Sequence, residues 1–260
     1  MAIRPTPPTA RRSTLFVNSV EKALGVLDLF DSSRPRLTLS QIAALADMDM
    51  SAAQRFAHTL TELGYLDKDP ETKNYSLSPQ VFDLSYRYQS SHEMIHRAAP
   101  YIQQLSLQSG ETANLTVLHG NEIVYVYRIL GQHMLNVKTV LGARQPAYCT
   151  APGLAMMAWL PEQQVEAILS TSELVAHTPY TVVDPKAIRR RLVEVRASGH
   201  AHTEEEYLLG AISTSAAVRD SQGRVAGAVN LAAAKHRWKP ADGARIADLV
   251  ISTASAVQGR

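Results

Sequence analysis

Cysteine is almost absent from this chain of 260 residues, since Cys149 is the only one. A single cysteine excludes an internal disulfide and is typical of the reducing cytoplasm, where we expect the protein to act. No run reaches the roughly twenty apolar residues that a membrane-spanning helix requires, so no membrane partner is predicted. The proline-rich residues 1–15 lack the apolar stretch of a signal peptide and are expected to form a disordered arm.

An excess of charge of one sign is also missing. The chain carries 26 Lys and Arg against 24 Asp and Glu. Within residues 1–77, nine basic residues balance nine acidic ones. Because a strong DNA binder is usually basic by itself, any DNA binding here must depend on a local face and on the pairing of two subunits.

Residues 38–66 predict two short helices separated by a tight break. Thr38 and Gln41 have the spacing of a capping box, so a helix is expected to begin there. Residues 47–50 interrupt the pattern. The second helix then carries apolar residues at core spacing: Ala53, Phe56, Leu60 and Leu63. This pattern fits a helix-turn-helix, and it also fits an ordinary helical hairpin with a solvated face.

The other side of the second helix is the candidate DNA-reading surface. Hydrogen-bonding side chains recur there at helical spacing, with a small residue beside them: Ser51, Ala52, Gln54, Arg55, His58 and Thr59. An apolar back holds such a helix rigid, while the polar front reaches base edges and phosphates.

A winged domain is predicted around these helices. Gly64 ends the second helix, and strands at 65–68 and 74–77 flank a turn-rich tip. Lys68 and Lys73 in this hairpin are expected to touch phosphate. Arg11 and Arg12 in the N-terminal arm are candidates for a minor groove, although a solvated tail is the simpler account. An amphipathic helix at 19–30 completes a winged helix-turn-helix domain over residues 16–78, with these side chains inward: Val20, Ala23, Leu24 and Leu27.

The remaining residues predict a linker helix at 79–91 and a second domain at 92–260. A helix at 92–109 is followed by strands at 112–119 and 122–130, which surround the two-residue hairpin signal Gly120-Asn121. Further elements are expected as a strand at 134–140, a hairpin at 211–219 and 224–233, and helices at 152–159, 161–170, 184–198 and 240–257. Hairpins interspersed with helices predict an α+β domain.

The order of these motifs resembles the IclR-type transcriptional regulators over about residues 16–255. The motifs that carry the resemblance are residues 17–24, 51–56, Gly64-Tyr65-Leu66, Arg144-Gln145-Pro146, Thr150-Ala151-Pro152-Gly153, residues 199–210 and residues 220–223. The resemblance implies a GAF-like mixed-sheet effector-binding domain, with an acidic metabolite at the helix that follows Thr150. A free helix N-terminus attracts a carboxylate, which agrees with this expectation.

The resemblance also bears on the class of effector. Family members that sense small keto acids carry an Asp, a Cys and two Ser around the cavity, where this chain aligns Thr203, Ser213, Asn230 and Ala232. An aromatic carboxylate fits these residues better than a small keto acid. The proposed contacts at the carboxylate end are Thr150, Ala151 and Gly153. Four residues are expected to flank a ring, although any one is also accounted for as core: Tyr125, Met134, Leu141 and Met156. Arg128 or His202 would meet a distal polar group.

A competing interpretation starts from His92-Glu93-Met94-Ile95-His96, which matches the HExxH pattern of zinc peptidases. A zinc site needs a third protein ligand, and the nearest downstream acid, Glu111, lies beyond a predicted helix end. The sequence contains no GxSxG, P-loop or GxGxxG motif. A metallohydrolase with an attached DNA-binding module is therefore the alternative. The preferred interpretation is a regulator without a cofactor, which binds double-stranded operator DNA as a homodimer or dimer of dimers and controls a catabolic operon in response to a small, aromatic carboxylate.

Overall fold

The computed structural model describes residues 13–132 and 139–258. The chain divides into two compact units, with the division between residues 88 and 89. Three predicted site residues, Arg11, Arg12 and Met134, lie outside the described residues. Most of the strand expected at 134–140 also lies outside them.

The first unit is a winged helix-turn-helix, as predicted. Its elements are α1 (Asn18–Leu27), α2 (Leu39–Leu45), α3 (Met50–Glu62), β1 (Leu66–Lys68) and β2 (Tyr75–Leu77). The two strands pair antiparallel, with Leu66 opposite Leu77. Leu37 forms an additional antiparallel bridge to Tyr75, which ties the start of α2 to the hairpin.

Short polar side chains determine where α2 and α3 begin. Thr38 and Gln41 form the predicted capping box: the Thr38 hydroxyl accepts the Gln41 N–H at 3.3 Å, and Gln41 Oε1 accepts the Thr38 N–H at 2.8 Å. Asp47 makes the break between the helices with a left-handed φ of 50°. Asp49 then caps α3, because its carboxylate accepts the Ala52 N–H at 2.7 Å. These caps fix the orientation of α3.

The predicted core positions of α1 and α3 need correction. Val20 and Leu24 are each 56% exposed within the chain, whereas Val26 is fully buried. Leu63 is 60% exposed, and Ala57 is buried instead. The core of this unit is small and reaches only the last part of α1, so apolar spacing along the whole helix overestimates how much of it is covered.

Two consecutive helices lead into the second unit, as expected from the sequence. They are α4 (Val81–Ser91) and α5 (Glu93–Ser109). No residue of α4 is buried, whereas Ile95, Ile102 and Leu105 of α5 enter a core. Gly110 ends α5 with a φ of 72°, a conformation that glycine adopts without steric strain.

The second unit is built on a six-stranded sheet. Its strands are β3 (Thr112–His119), β4 (Glu122–Ile129), β5 (Arg144–Pro146), β6 (Ala201–Glu204), β7 (Ala211–Arg219) and β8 (Val225–Ala234), in the order β5-β4-β3-β8-β7-β6. Both predicted hairpins are confirmed, whereas the short strands β5 and β6 were not predicted. The α+β class is confirmed, but the mixed sheet is wrong. Every pairing between the described strands is antiparallel, including that of β3 with β8, which are far apart in the sequence.

Helices cover both faces of this sheet. On one face lie α6 (Ala151–Met157), α7 (Glu162–Thr171) and α8 (Pro185–Ser198), and on the other lie α5 and α9 (Gly243–Gln258). Alternation along β3 separates the two sides, so that Leu115 joins the core of α5 and α9 while Asn114 points the other way. In the described part of the chain, no helix is both long and apolar enough to span a bilayer.

Candidate functional site

The outer side of α3 carries the predicted DNA-reading residues. Five of them are exposed and Ala52 is half-buried, the exposed ones being Ser51, Gln54, Arg55, His58 and Thr59. The opposite side of the helix is buried through Ala53, Ala57 and Leu60. Arg55 forms no ion pair with any residue in the described ranges. A helix held from behind, with an uncommitted cation in front, has the geometry of a reader of DNA grooves.

The wing places its two lysines on the exposed surface of the hairpin. Lys68 Nζ lies 5.2 Å from the centroid of the Tyr75 ring. Lys73, at a left-handed φ of 59°, donates from Nζ to the Pro70 carbonyl at 2.5 Å. Both cations therefore have contacts within the hairpin.

A cavity lies in the second unit between the sheet and α6. Its main polar lining residues are Asn114, Tyr125, Arg128, Gln145, Thr150, Thr203, Glu206 and Ser213. Its apolar lining includes Ala151, Pro152, Tyr207, Leu208, Ile212 and Ala232. The empty space is about 620 Å³, counting open solvent at the mouth. Small-molecule sites in proteins have this mixture of apolar walls and a few polar groups.

A β-bulge brings Tyr125 and Arg128 onto the same wall of the cavity. Leu115 pairs with Tyr127, but the next residue, Thr116, pairs with Tyr125. The extra residue on β4 reverses the alternation, so that two side chains three positions apart face the same side. Strict alternation would have placed one of the two on the opposite face.

A row of polar residues crosses the sheet under this cavity. Arg128, Asn114, Asn230 and Ser215 are successive partners across β4, β3, β8 and β7. Asn114 Nδ2 donates to Asn230 Oδ1 at 2.9 Å, and Asn230 Nδ2 donates to the Ser213 hydroxyl. Asn230 therefore lies behind Asn114 and supports it, rather than forming the cavity surface itself.

Burial shifts the pKa values of both Arg128 and Tyr125. Burial lowers the pKa of Arg128, whose Nη1 donates to the Thr139 carbonyl. Burial raises the pKa of Tyr125 to about 12, and its hydroxyl donates to Gln145 Oε1 at 3.0 Å. Among the described residues, two buried side-chain polar atoms have no hydrogen-bond partner: Arg128 Nε and Asn114 Oδ1. Both residues line the cavity, which marks this wall as incomplete without a ligand or solvent.

The charges of the cavity wall do not balance. Glu206 is buried and receives two hydrogen bonds from the Arg191 guanidinium, at 2.6 and 2.8 Å. Arg128 has no carboxylate within 4 Å in the described part of the chain. The wall therefore carries one compensated acid and one uncompensated cation.

The beginning of α6 forms another part of the wall. Thr150 and Ala151 line the cavity, and the Thr150 hydroxyl donates to the Pro146 carbonyl at 2.8 Å instead of capping the helix. Gly153 is not among the lining residues. A Cβ atom built on Gly153 would lie 2.1 Å from the Ala147 carbonyl oxygen, so this glycine is required by close backbone packing.

Three other predicted effector contacts lie away from the cavity. Met156 is fully buried in the core, because its helical position points into the packing against the sheet, and Leu141 is 45% exposed. His202 lies on the opposite face of the sheet, with Nδ1 at 2.9 Å from the Thr214 hydroxyl oxygen and its ring 5.2 Å from that of Trp238. Since Thr203 faces the cavity, strand alternation requires His202 to face away from it.

Several lining residues were not predicted from the sequence. Asn114 had a readable signal, since Thr112, Asn114 and Thr116 recur at alternate positions of an otherwise apolar strand. Glu206 had none, because its partner Arg191 lies on α8. Cys149 also lines the cavity, and burial raises the pKa of its thiol to about 12, which makes it a poor nucleophile.

The HExxH residues do not assemble as a zinc peptidase would require. Helix α5 begins at Glu93, so His92 is an extended N-cap residue and does not share a helical face with His96. Glu93 forms an ion pair with Arg97 at 2.9 Å, and His96 Nε2 lies 2.9 Å from the Ser90 carbonyl oxygen. In the described ranges, no three His, Cys, Asp or Glu residues are grouped to hold a metal ion.

Comparison with known proteins identifies the family. Residues 19–70 match the IclR helix-turn-helix domain, and residues 86–258 match the bacterial transcriptional regulator IclR C-terminal domain. The Pca regulon regulatory protein of Pseudomonas putida is 32% identical over 83% of this chain and 74% of its own length. A transcriptional regulator from Rhodococcus sp. RHA1 has the same fold, with a TM-score of 0.83, 30% identity and coverage of 94% of this chain and 97% of that one.

A third relative shares the fold at lower identity. It is an IclR homologue from Microbacterium hydrocarbonoxydans whose crystal structure contains 4-hydroxybenzoate, with a TM-score of 0.79, 22% identity and coverage of 92% of this chain and 97% of that one. The matched families and relatives are regulators and not enzymes, so the metallohydrolase alternative is wrong. The winged helix-turn-helix, the sheet domain with its cavity and these matches agree: the chain belongs to the IclR family of DNA-binding transcriptional regulators.

Proposed function

We propose that this regulator controls a catabolic operon in response to a small aromatic carboxylate, and that it binds a near-palindromic operator as a homodimer or dimer of dimers. The observation that carries the effector class is the uncompensated cation Arg128 in the wall of the cavity. The DNA-reading part rests on the exposed face of α3.

In this proposal α3 reads the major groove and the wing positions it. The reading set is Ser51, Ala52, Gln54, Arg55, His58 and Thr59, with Lys68 and Lys73 on phosphate and Arg11 and Arg12 toward a minor groove. One such helix offers few contacts, and residues 1–77 have no net charge. Two helices on two half-sites double the contacts and supply the specificity that one face lacks.

An acid is favoured over a neutral ligand by the charge of the cavity. At 5 Å and an effective dielectric constant of 20, a unit cation attracts a unit anion by about 3 kcal/mol. Arg191 already neutralises Glu206, so the field of Arg128 is not cancelled. The carboxylate is proposed to bind at Thr150 and Ala151, where the helix begins without a side-chain cap.

An aromatic ring is favoured by the shape and chemistry of the remaining walls. Tyr125, Tyr207 and Ile212 line the cavity, and Ala232 leaves space beside them. The fold relative whose crystal structure contains 4-hydroxybenzoate supports this class. In the proposal the ligand changes DNA binding because it has different affinities for two arrangements of the protein, which is how a ligand shifts a conformational equilibrium.

A thermal-shift screen of the full chain tests this proposal. We expect aromatic carboxylates to raise the unfolding temperature, because a ligand at 100 times its Kd stabilises the native state by about 2.7 kcal/mol. Benzamide is the matched neutral control for benzoate. Arg128→Gln should abolish the shift, whereas Arg219→Gln, outside the cavity lining, should keep it. A response to aliphatic acids alone would refute the aromatic class, and an equal response to benzamide would refute the role of charge.

A further inference from the structure

The two unpartnered polar atoms of the cavity are adjacent in the sheet. Arg128 and Asn114 are direct partners in the pairing of β4 with β3. Side chains at directly opposed positions have Cβ atoms about 5 Å apart. Arg128 Nε carries a hydrogen that no acceptor receives, and Asn114 Oδ1 receives no hydrogen. A buried donor and a buried acceptor thus belong to neighbouring side chains of the cavity wall.

The orientation of the Asn114 amide is determined from behind. Asn230 Nδ2 lies 3.4 Å from the Leu231 carbonyl oxygen, which is able only to accept. The Asn230 nitrogen therefore faces that carbonyl and the Ser213 hydroxyl, and its Oδ1 faces Asn114. Asn114 must therefore present Nδ2 to Asn230, which leaves its Oδ1 as the atom without a partner.

We infer that Arg128 and Asn114 together recognise a hydroxyl group on the effector, so that the effector is a hydroxy-substituted aromatic carboxylic acid. A hydroxyl oxygen accepts a hydrogen bond from Arg128 Nε while its own hydrogen is donated to Asn114 Oδ1. One group thereby satisfies both atoms. This inference rests on the proposed function, because it assumes that the cavity binds an aromatic acid.

A carboxylate fits this pair less well than a hydroxyl does. It would accept from Arg128 but would oppose its second lone pair to Asn114 Oδ1, which has no hydrogen to offer. A methoxy group likewise accepts but does not donate. The acidic end of the effector therefore belongs at another part of the wall, which agrees with the proposed contact at Thr150 and Ala151.

Calorimetry on the full chain tests the inference with benzoate, the hydroxybenzoates, the matching methoxybenzoates and terephthalate. We expect at least one hydroxybenzoate to bind about tenfold or more tightly than benzoate and its own methoxy counterpart, because a buried acceptor left unpaired is costly. Terephthalate should bind more weakly than that hydroxybenzoate. If terephthalate or the methoxy compound binds as tightly, the pair does not recognise a hydroxyl.

Variants separate recognition of the hydroxyl from general damage to the cavity. Asn114→Ala should remove the preference for hydroxy over methoxy compounds, and Arg128→Lys, which keeps the charge but loses Nε, should reduce it. Ser215→Ala is the matched control, since Ser215 ends the same polar row but donates to the Val229 carbonyl at 2.7 Å, away from the cavity lining. It should keep the preference.

The outcomes distinguish this inference from the proposed function. Tight binding of aromatic acids without a preference for the hydroxyl would overturn only the inference. If no aromatic acid binds to the wild-type protein, the proposed effector class fails and the inference fails with it. A preference that survives in both Asn114→Ala and Arg128→Lys would place hydroxyl recognition elsewhere in the cavity.

Discussion

In the N-terminal unit the candidate readers of DNA are exposed along one side of a single helix. In the C-terminal unit the candidate readers of the effector are buried and come from several strands and from the beginning of α6. An exposed polar side chain already has water as a partner, so α3 tolerates open donors and acceptors. A buried one does not, and the polar row under the cavity is bonded nearly throughout. The two atoms of this row without a hydrogen-bond partner, Arg128 Nε and Asn114 Oδ1, therefore indicate a ligand more specifically than the exposed polar groups of α3 do.

The largest predicted effect is a loss of stability when the buried ion pair between Arg191 and Glu206 in the C-terminal unit is removed. Arg191→Met should lower the free energy of unfolding by about 3–5 kcal/mol, because it leaves the buried Glu206 carboxylate without a partner. It should also weaken binding of an anionic effector, since the negative charge would then face the cavity. Chemical denaturation and calorimetry of the full chain measure the two effects.

The double variant Arg191→Met with Glu206→Gln is the control for charge. It removes the uncompensated carboxylate and should recover most of the lost stability. A double variant as unstable as the single one would show that Arg191 acts through packing of α8, or through its 3.0 Å hydrogen bond to the His202 carbonyl, and not through Glu206.

The same comparison explains what the sequence predicted. The exposed side of α3 follows from the sequence because the helical period decides which side chains face solvent. The caps at Thr38 and Asp49 involve only neighbouring residues, so they are visible in the sequence as well. The ends of α1 and α3 were misjudged, because Val20, Leu24 and Leu63 depend on how far the core extends. In the C-terminal unit, Arg128 and Asn114 meet only through strand pairing, and Tyr125 shares their wall only through a bulge that has no sequence signature.

His202 and Gly153 show two further limits. Alternation along β6 would have predicted that His202 and Thr203 face opposite sides, but β6 has only four residues and was not recognised as a strand. The sequence predicts an anion contact at Gly153, whereas the glycine is required there by the close approach of the Ala147 backbone, which lies outside the helix. Contacts with other segments of the chain decide the orientation of His202 and the packing of Gly153, and helical or strand periodicity contains no information about those contacts.

Gly153 offers the next largest effect. Gly153→Ala should destabilise the protein by about 3 kcal/mol, because the new Cβ atom would overlap the buried Ala147 backbone and force both segments apart. Gly243→Ala at the beginning of α9 is the control, since nothing lies within 4 Å of its added atom. Thermal unfolding of the two variants measures the difference. An unchanged midpoint in Gly153→Ala would show that α6 shifts without cost, and a loss of effector response in that stable variant would support a direct contact.

A weaker effect on stability, but a direct effect on function, is expected on α3. Arg55→Ala should reduce affinity for a DNA fragment selected by the wild-type protein by about 1–3 kcal/mol per recognition helix, because a charged contact to guanine or phosphate is lost. Effector affinity and unfolding should not change. Glu62→Ala, exposed on the last turn of the same helix, is the matched control and should retain binding. Wild-type affinity in Arg55→Ala, measured by fluorescence anisotropy at fixed salt, would remove this side chain from the reading surface.

The smallest perturbation of the protein is made by a thiol-alkylating reagent, which reports on the cavity through Cys149 and on the α3 surface through an added cysteine. Burial raises the pKa of Cys149 to about 12, so at pH 8 only about one thiol in ten thousand is ionised, against roughly a quarter for an unfolded thiol. Alkylation of native Cys149 should therefore be slower than that of the unfolded chain by about a thousandfold or more. Because the folded pKa lies above the unfolded one, this thiol favours the folded state below pH 8 and loses that contribution as the pH rises toward 12.

In the variant Ser51→Cys the added thiol lies on exposed α3 and should react at the rate of a free cysteine. Bound DNA should then protect position 51 directly, and a bound effector should slow alkylation of Cys149, which lines the cavity. Because the proposed function links the two sites, a change in Cys149 reactivity on DNA binding would report that linkage. Rapid alkylation of native Cys149 would mean that the cavity opens far more often than its burial implies.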